Sequence, residues 1–274
     1  MARTSKTEAV VLRSFRLGEA DRVLHVYTAD RGRVGAVAKG IRRTKSRFGA
    51  RLEPLSHVEL MLHQGSGELR TVTGVSLISS HHEAREDPYR LAVGHVGAEA
   101  MLRLYTEQEA NERAFTALTR FLDRLDAIPS RAPARPALDP LGLSFQLKLL
   151  WLSGYLPHLD GCVECGAVED LVGYLPSAGG AVCRGCGPGT VALSPEGLRG
   201  IRTLLMTPLA DAHAGGLTDR GAREALSVVA ASYEFSGGFR LRTLSACELR
   251  AHALPFWGLR AASVRFRGCS PCAG

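Results

Sequence analysis

Four cysteines in the second half of the chain have the spacing of a metal site. Cys162 and Cys165 form one C-x2-C pair, Cys183 and Cys186 form another, and seventeen residues separate the pairs. A two-residue spacer lets both thiolates of a pair face one ion, and a glycine after each pair permits a tight turn. Two such pairs supply the four sulfurs of a closed tetrahedral Zn²⁺ site. The spacing therefore predicts one structural Zn²⁺ per chain; two unlinked pairs, or a redox dithiol, are the alternatives.

A second group of residues could bind an anion. The segment KGIRRTKSRFGAR, residues 39–51, has no acid and contains six cations, which are Lys39, Arg42, Arg43, Lys45, Arg47 and Arg51. The whole chain has 34 basic and 27 acidic residues, and its first 80 residues hold 14 and 7 of them. The remainder is balanced at 20 of each, so the formal charge of +7 lies in the first 80 residues. This asymmetry is typical of a polyanion-binding module attached to a neutral body. A solvated basic face without a partner is the alternative.

Short strands must position the basic segment. Val58, Leu60 and Leu62 alternate at a period of two with the other residues of this run, which are His57, Glu59, Met61 and His63. Glycine-containing turns separate this run from four other β-rich runs, at residues 9–15, 22–28, 33–39 and 68–79. Five short strands in the first 80 residues predict a small closed barrel, either an OB-fold, which binds nucleic acid, or an SH3-like barrel. The basic segment then lies in the long connection between the third and fourth strands.

Beyond residue 88 the period changes to that of helices. Apolar stripes predict helices at residues 88–106, 111–128, 141–155, 195–206, 219–235 and 241–253. Prolines within residues 127–140 predict an exposed loop, and Ser194, Pro195 and Glu196 form a helix start. We therefore expect two domains: a barrel at residues 1–80 and a mainly α-helical domain at 81–274. The second domain contains the zinc insertion at about residues 158–190 and a flexible tail from about residue 262.

The remaining features favour a non-enzymatic protein of the cytoplasm. Within the 274 residues we find no eighteen-residue apolar run, no signal peptide and no motif for nucleotide binding or hydrolysis. A third pair, Cys269 and Cys272, is assigned to the tail, and Cys247 to a helix core. His81, His82 and Glu83 are interpreted as an exposed polar linker, with a metal pair as the alternative.

Two stretches resemble the bacterial RecO family of recombination mediators. The first is AVVLRSFRLGEADRVLHVYTADRGRVGAVAKGIRRTKSRFGARLEPLSHVEL, within the barrel. The second is FQLKLLWLSGYLPHLDGCVECG, a helix that runs through Gly-Tyr-Leu-Pro into the first cysteine pair. Together they place the resemblance over about residues 5–253, in the order of the family's domains. The carboxyl-terminal RFRGCSPCAG and the proline-rich loop depart from the family pattern.

The resemblance implies an OB-fold, a helical body and, with these four cysteines, the zinc-containing type. It implies binding of single- and double-stranded DNA, annealing of complementary strands, and binding of the acidic carboxyl-terminal tail of single-stranded DNA-binding protein. With RecR, such proteins help RecA to load onto coated DNA in the RecF pathway of repair of damaged DNA. No membrane, nucleotide cofactor or catalytic residue is implied.

The expected DNA site comprises the six cations of residues 39–51, together with Arg31, Arg33 and Phe48. With few aromatic residues in the barrel, we expect phosphate contacts to dominate and binding to be insensitive to base sequence. Phe48 either stacks on a base or packs in the core. Two alternatives stay open: a zinc-stabilised adaptor whose basic barrel docks an acidic protein, and a zinc-dependent nuclease.

Overall fold

The amino-terminal part of the chain forms five strands, as predicted. The computed structural model describes residues 3–46, 48–65, 67–106, 109–131 and 135–244. The strands are β1 (Arg3–Leu17), β2 (Asp21–Thr28), β3 (Gly32–Ala38), β4 (His57–Gln64) and β5 (Arg70–Ser79). On β4, Val58, Leu60 and Leu62 are fully buried, which confirms that the alternating positions face the barrel interior.

The five strands close into a barrel in the order β1-β2-β3-β5-β4. Strand β1 pairs antiparallel with both β2 and β4, and a short parallel pairing of β3 with β5 completes the ring. The register of β1 against β2 shifts between Val11 and Arg13, and such a bulge bends a strand. This is the five-stranded OB-fold, which confirms the predicted fold class over the SH3-like alternative.

Helices form the rest of the core. They are α1 (His82–Glu86), α2 (Pro88–Leu104), α3 (Glu112–Ala127), α4 (Pro140–Leu152), α5 (Pro195–Met206) and α6 (Asp219–Gly237). The predicted helix start before α5 is confirmed, because the Ser194 hydroxyl accepts a hydrogen bond from the Gly197 amide at 3.0 Å. The predicted helix at 241–253, the tail and its cysteines extend past Leu244, outside the described residues.

The apolar stripe predicted on α3 is confirmed. Its members are all fully buried, and they are Ala114, Leu118, Phe121, Leu122 and Leu125. The ring of Phe121 stacks on Phe145 of α4 at a centroid distance of 4.2 Å. Helix α2 approaches this stack closely because it has glycine at position 97.

The barrel and the helices share one hydrophobic core. Val10, Leu12, Tyr27 and Leu55 of the barrel region belong to the same buried cluster as the helices. The ring of Tyr27 also lies 5.4 Å from that of Tyr105, just after α2. The outer face of the barrel is therefore covered by the helical body along part of β1 and β2.

The structure corrects the interpretation of His81 as part of an exposed linker. Its side chain is only 1% exposed. The Nδ1 atom lies 2.7 Å from the Leu55 carbonyl oxygen, and Nε2 lies 3.0 Å from Asp123 Oδ1 on α3. A polar ring can be buried at the junction because both of its nitrogens have hydrogen-bond partners there. His82 and Glu83 remain exposed.

The cysteine segment forms a small sheet of its own against the helices. Its strands are β6 (Leu171–Leu175), β7 (Gly180–Cys183) and β8 (Val191–Ala192), in the order β7-β6-β8. The Tyr174 hydroxyl lies 2.8 Å from Ser232 Oγ of α6. This contact ties the sheet to the helical core. None of the described helices combines the length and apolarity needed to cross a membrane.

The close approach at Gly97 yields a stability prediction. A Cβ atom there would lie 2.6 Å from Phe121 Cε1 and 3.1 Å from Phe145 Cε1. Gly97→Val should lower the free energy of unfolding by about 2 kcal/mol, because overpacking displaces the stacked rings. Urea denaturation measures this change. Gly65→Val is the control, since nothing lies within 4 Å of that position and exposed substitutions change stability by about 0.5 kcal/mol or less. Equal effects at both positions would contradict the packing described.

Candidate nucleic-acid interface and candidate metal centre

The basic segment forms the connection between β3 and β4, as expected from the strand pattern. The side chains of Lys39, Arg42, Arg43, Lys45 and Arg51 are exposed. Arg47 lies outside the described residues. The structure therefore presents at least five cations of one loop to solvent.

Three hydrogen bonds hold the first half of this loop against the β1–β2 turn. The Gly40 amide donates to Asp21 Oδ1 at 2.7 Å. The Arg42 amide donates to the Ala20 carbonyl at 3.0 Å, and its Nη1 donates to the Glu19 carbonyl at 2.7 Å. Gly40 has a positive φ of 68°, which glycine adopts without steric cost. The loop and the β1–β2 turn consequently lie side by side at one end of the barrel.

The second half of the loop is anchored in the barrel core. Phe48 is 1% exposed and Leu52 is fully buried, and both belong to the apolar cluster inside the barrel. Of the two roles left open for Phe48, the structure supports the core role, because a buried ring offers no face to a base. The stacking assignment of Phe48 is corrected accordingly. The physical reason is that packing the apolar ring inside the barrel removes its surface from water.

Arg31 and Arg33 are set apart from the loop by their contacts. Arg31 Nε lies 3.0 Å from Asp30 Oδ2 and keeps 36% side-chain exposure. Arg33 is half-buried, and its Nη1 donates to the Leu102 carbonyl at 3.2 Å, at the end of α2. Arg33 thus joins the barrel to the helical body.

The four cysteines of the two pairs form one cluster. Among the residues described, Cys162, Cys165, Cys183 and Cys186 have sulfur atoms that all lie within 4.8 Å of one another. Cys165 Sγ and Cys183 Sγ are 3.6 Å apart, far longer than a disulfide of about 2.05 Å. Two sulfurs that ligate one Zn²⁺ at about 2.3 Å are separated by roughly 3.8 Å in tetrahedral geometry. The cluster could therefore hold a metal ion of zinc's size and ligand preference.

Backbone turns aim these thiols inward. The Gly166 amide donates to the Cys162 carbonyl at 2.8 Å, and the Gly187 amide donates to the Cys183 carbonyl at 3.2 Å. Both glycines have positive φ, at 77° and 123°, as the tight turns predicted after each pair require.

The electrostatics of the cluster also suit a cation. Backbone amide hydrogen bonds, the strongest from Cys183, lower the pKa of the Cys162 thiol to about 6. Hydrogen bonds with neighbouring thiols, Cys165 first, raise the pKa of Cys186 to about 12. Ionisation of one thiol therefore opposes ionisation of its neighbours. A divalent cation bound among the four sulfurs would favour the ionised form of each.

Two family models match nearly the whole described chain. Recombination protein O N terminal matches residues 1–81, and Recombination protein O C terminal matches residues 85–245. The chain belongs to the RecO family. The first match covers the barrel and the second covers the helices with the cysteine element.

Curated RecO relatives are similar over most of their length. DNA repair protein RecO of Rubrobacter xylanophilus is 41% identical over 229 residues, covering 81% of this chain and 87% of the relative. DNA repair protein RecO of Anaeromyxobacter dehalogenans is 35% identical over 243 residues, with coverages of 86% and 93%. A RecO from a Nocardioides species is 39% identical over 197 residues, with coverages of 70% and 78%. This RecO-family chain is accordingly a DNA repair protein.

The RecO helical body also contains an open groove of about 760 Å³ that the sequence patterns did not identify. Its apolar side includes Trp151, Leu152 and Leu209, and its cationic side includes Arg113, Arg120, Arg124 and Lys148. The sequence of α3 contains one indication of the groove, because the arginines of this helix lie off its buried apolar stripe. The partner elements, α4 and residues 208–210, meet α3 only in the folded chain.

Two details determine which of these cations are available. The Lys148 ammonium donates to the Leu204 and Leu205 carbonyls at 3.0 and 2.8 Å, and burial lowers its pKa. By contrast, Arg124 Nε finds no acceptor among the described residues. The arginines of α3 therefore supply the positive charge that the groove can offer to a ligand.

Proposed function

We propose that this RecO-family protein binds single- and double-stranded DNA through the barrel end that carries the basic loop. It would anneal complementary strands and, with RecR, help RecA to load onto DNA coated by single-stranded DNA-binding protein. The proposal rests on one observation, the set of exposed cations on a single loop. Hydrogen bonds to Asp21 and Ala20 hold this loop against the β1–β2 turn. The action would rest on binding energy alone, without a catalytic step.

Phosphates are the anions that suit such a loop best. A guanidinium or ammonium group contacts a phosphate without reading a base, and each contact releases condensed counterions. Neutralising the backbones of two strands also lowers the repulsion between them. A loop of this kind would therefore support annealing regardless of sequence.

The basic loop yields a salt-dependence prediction. Replacing Arg42, Arg43 and Lys45 together by Ala should reduce the steepness of log K against log salt for a single-stranded oligonucleotide by about 2, because each lost phosphate contact changes the slope by roughly 0.7. Affinity at low salt should fall about tenfold or more. Fluorescence anisotropy over a salt series measures both quantities.

The matched control removes three charges from exposed positions of the helical body, Arg199, Arg220 and Arg223. This control should leave the slope within the error of the unmodified protein. If the loop variant keeps its slope and affinity, or if the control loses as much, the loop is not the DNA site.

We further propose that the cysteine cluster binds one structural Zn²⁺. Cys162, Cys165, Cys183 and Cys186 would occupy all four tetrahedral positions, so that no position is open for a substrate or water. When bound, the ion would hold the two pairs together. The free energy of metal binding would then stabilise the β6–β8 sheet and its contact with α6.

The zinc proposal predicts both metal content and stability. Purified protein should contain one Zn²⁺ per chain by elemental analysis. Cys165→Ser should lower the metal content and reduce the melting temperature by about 5 °C or more, because a chain of this size shifts by a few degrees per kcal/mol. The double variant with Cys269→Ser and Cys272→Ser tests the other C-x-x-C pair and should keep one metal. Full metal retention in Cys165→Ser, or loss in the double variant, would contradict the assignment.

The groove of the helical body is proposed as the docking site for the acidic tail of single-stranded DNA-binding protein. Its apolar side would take an apolar side chain of the tail, while Arg113, Arg120 and Arg124 would meet the acidic groups and the terminal carboxylate. Glu112 and Asp123 also line the groove, but Asp123 faces His81. Charge complementarity therefore favours an anionic peptide.

This assignment predicts separable effects on peptide and DNA binding. Arg120→Ala and Trp151→Ala should each weaken binding of a fluorescent tail peptide by about tenfold, with DNA affinity unchanged. Arg199→Ala serves as the control for loss of one charge. If peptide binding is lost on changing the basic loop instead, the barrel docks the acidic protein, as the adaptor alternative requires.

A further inference from the structure

The outward face of β1 and β2 has two neighbouring rings, the exposed Phe15 and the half-buried His25, that neither the loop nor the groove includes. Phe15 of β1 is 40% exposed. Its ring centroid lies 5.5 Å from that of His25 on β2, with the planes tilted by 58°. The Arg13 guanidinium lies 5.9 Å from the Phe15 ring centroid, within the range of a cation–π contact.

The strand register places these groups on one surface. Arg13 pairs with His25, which pairs in turn with Gly35 of β3. In the next row, Phe15 pairs with Val23. Because directly paired residues point to the same side of a sheet, both rows form a continuous surface across β1, β2 and β3.

Gly35 gives this surface a boundary. A Cβ atom at Gly35 would lie 2.6 Å from Leu69 Cδ2, in the connection between β4 and β5. The missing side chain therefore lets Leu69 lie against the backbone of β3, where it remains 44% exposed. In strand order, His25 lies between Phe15 on one side and Leu69 on the other. The rings thus lie beside an apolar wall rather than on an open, flat sheet.

The ring surface adjoins the basic loop. Leu17 pairs with Asp21, and the Asp21 carboxylate holds the Gly40 amide. Phe15 is two residues back along β1, a distance of about 7 Å along a strand. A nucleic-acid backbone held by the loop would therefore carry its bases within reach of the rings.

His25 is suited to stacking as a neutral ring. Burial, followed by the positive charges of Arg33 and Arg13, lowers its pKa below the ordinary value. The lowered pKa favours the neutral form of the imidazole. A planar neutral ring next to an exposed phenyl group resembles the aromatic surfaces on which unpaired bases stack in OB-folds.

We propose that Phe15 and His25 form a stacking platform for the unpaired bases of a single strand. Leu69 borders the platform, and Arg13 supplies a cation beside it. The inference rests on the proposed DNA-binding function and adds a base contact to the phosphate contacts of the loop. It predicts that the protein distinguishes single strands from duplexes, whose bases are already stacked on one another.

The test compares three DNA ligands of equal length at one salt concentration: a single-stranded thymine oligonucleotide, an abasic strand and a duplex. Phe15→Ala should weaken binding of the thymine strand about tenfold, and Phe15→Trp should retain it. Neither Phe15 variant should differ from the unmodified protein in its affinity for the abasic strand or in its affinity for the duplex. The slope of log K against log salt should also stay unchanged. Leu77→Ala is the control, since Leu77 is an apolar barrel residue that is 45% exposed; it should change none of these affinities.

Thermal unfolding verifies that the variants fold. No loss of thymine-strand affinity in Phe15→Ala, or an equal loss for the abasic strand, would overturn the platform. Either of these two results would leave the salt dependence that is assigned to the basic loop unchanged, and so would not contradict the proposed DNA-binding function. Failure of the unmodified protein to bind any of the three ligands would instead contradict DNA binding itself.

Discussion

The repulsion among the cations of residues 39–51 is the constraint on which this end of the molecule depends. Like charges on a free loop would spread apart in solution, and ordering them costs conformational entropy. Two anchors hold them here: the hydrogen bonds to the β1–β2 turn, including that between Gly40 and Asp21, and the burial of Phe48 and Leu52 inside the barrel. The positive charge is thereby kept at one end of a rigid barrel.

The barrel in turn depends on the helical body for its own position. Tyr27 and Leu55 are buried in the body's core, His81 contacts both Leu55 and Asp123, and Arg33 bonds to the end of α2. The cysteine element is attached to the same core through Tyr174 and α6. A ligand on the basic loop and a peptide in the α3–α4 groove, as proposed, would therefore act on one packed unit, although their sites consist of different residues.

Sequence patterns predicted the elements well because those elements depend on local periodicity. The alternation on β4 and the stripe on α3 specify which face is buried, and the glycines at 166 and 187 specify turns. Patterns could not reveal contacts between distant segments. The sequence predicts an exposed linker at His81 because Leu55 and Asp123 meet this residue only in the folded chain. The burial of Phe48 depends on the return of its loop into the barrel. The Phe15–His25 pair can be recognised only from the strand register, and the groove can be recognised only from the packing of α3 against α4.

Crosslinking tests the central claim, that the barrel end rather than the body carries the DNA. A photoreactive single-stranded oligonucleotide would be bound to the full-length protein, irradiated and mapped by mass spectrometry. We expect attachment to peptides that contain residues 39–46 and the neighbouring part of β1 and β2. Attachment confined to the helical body, with the barrel unmodified, would contradict it.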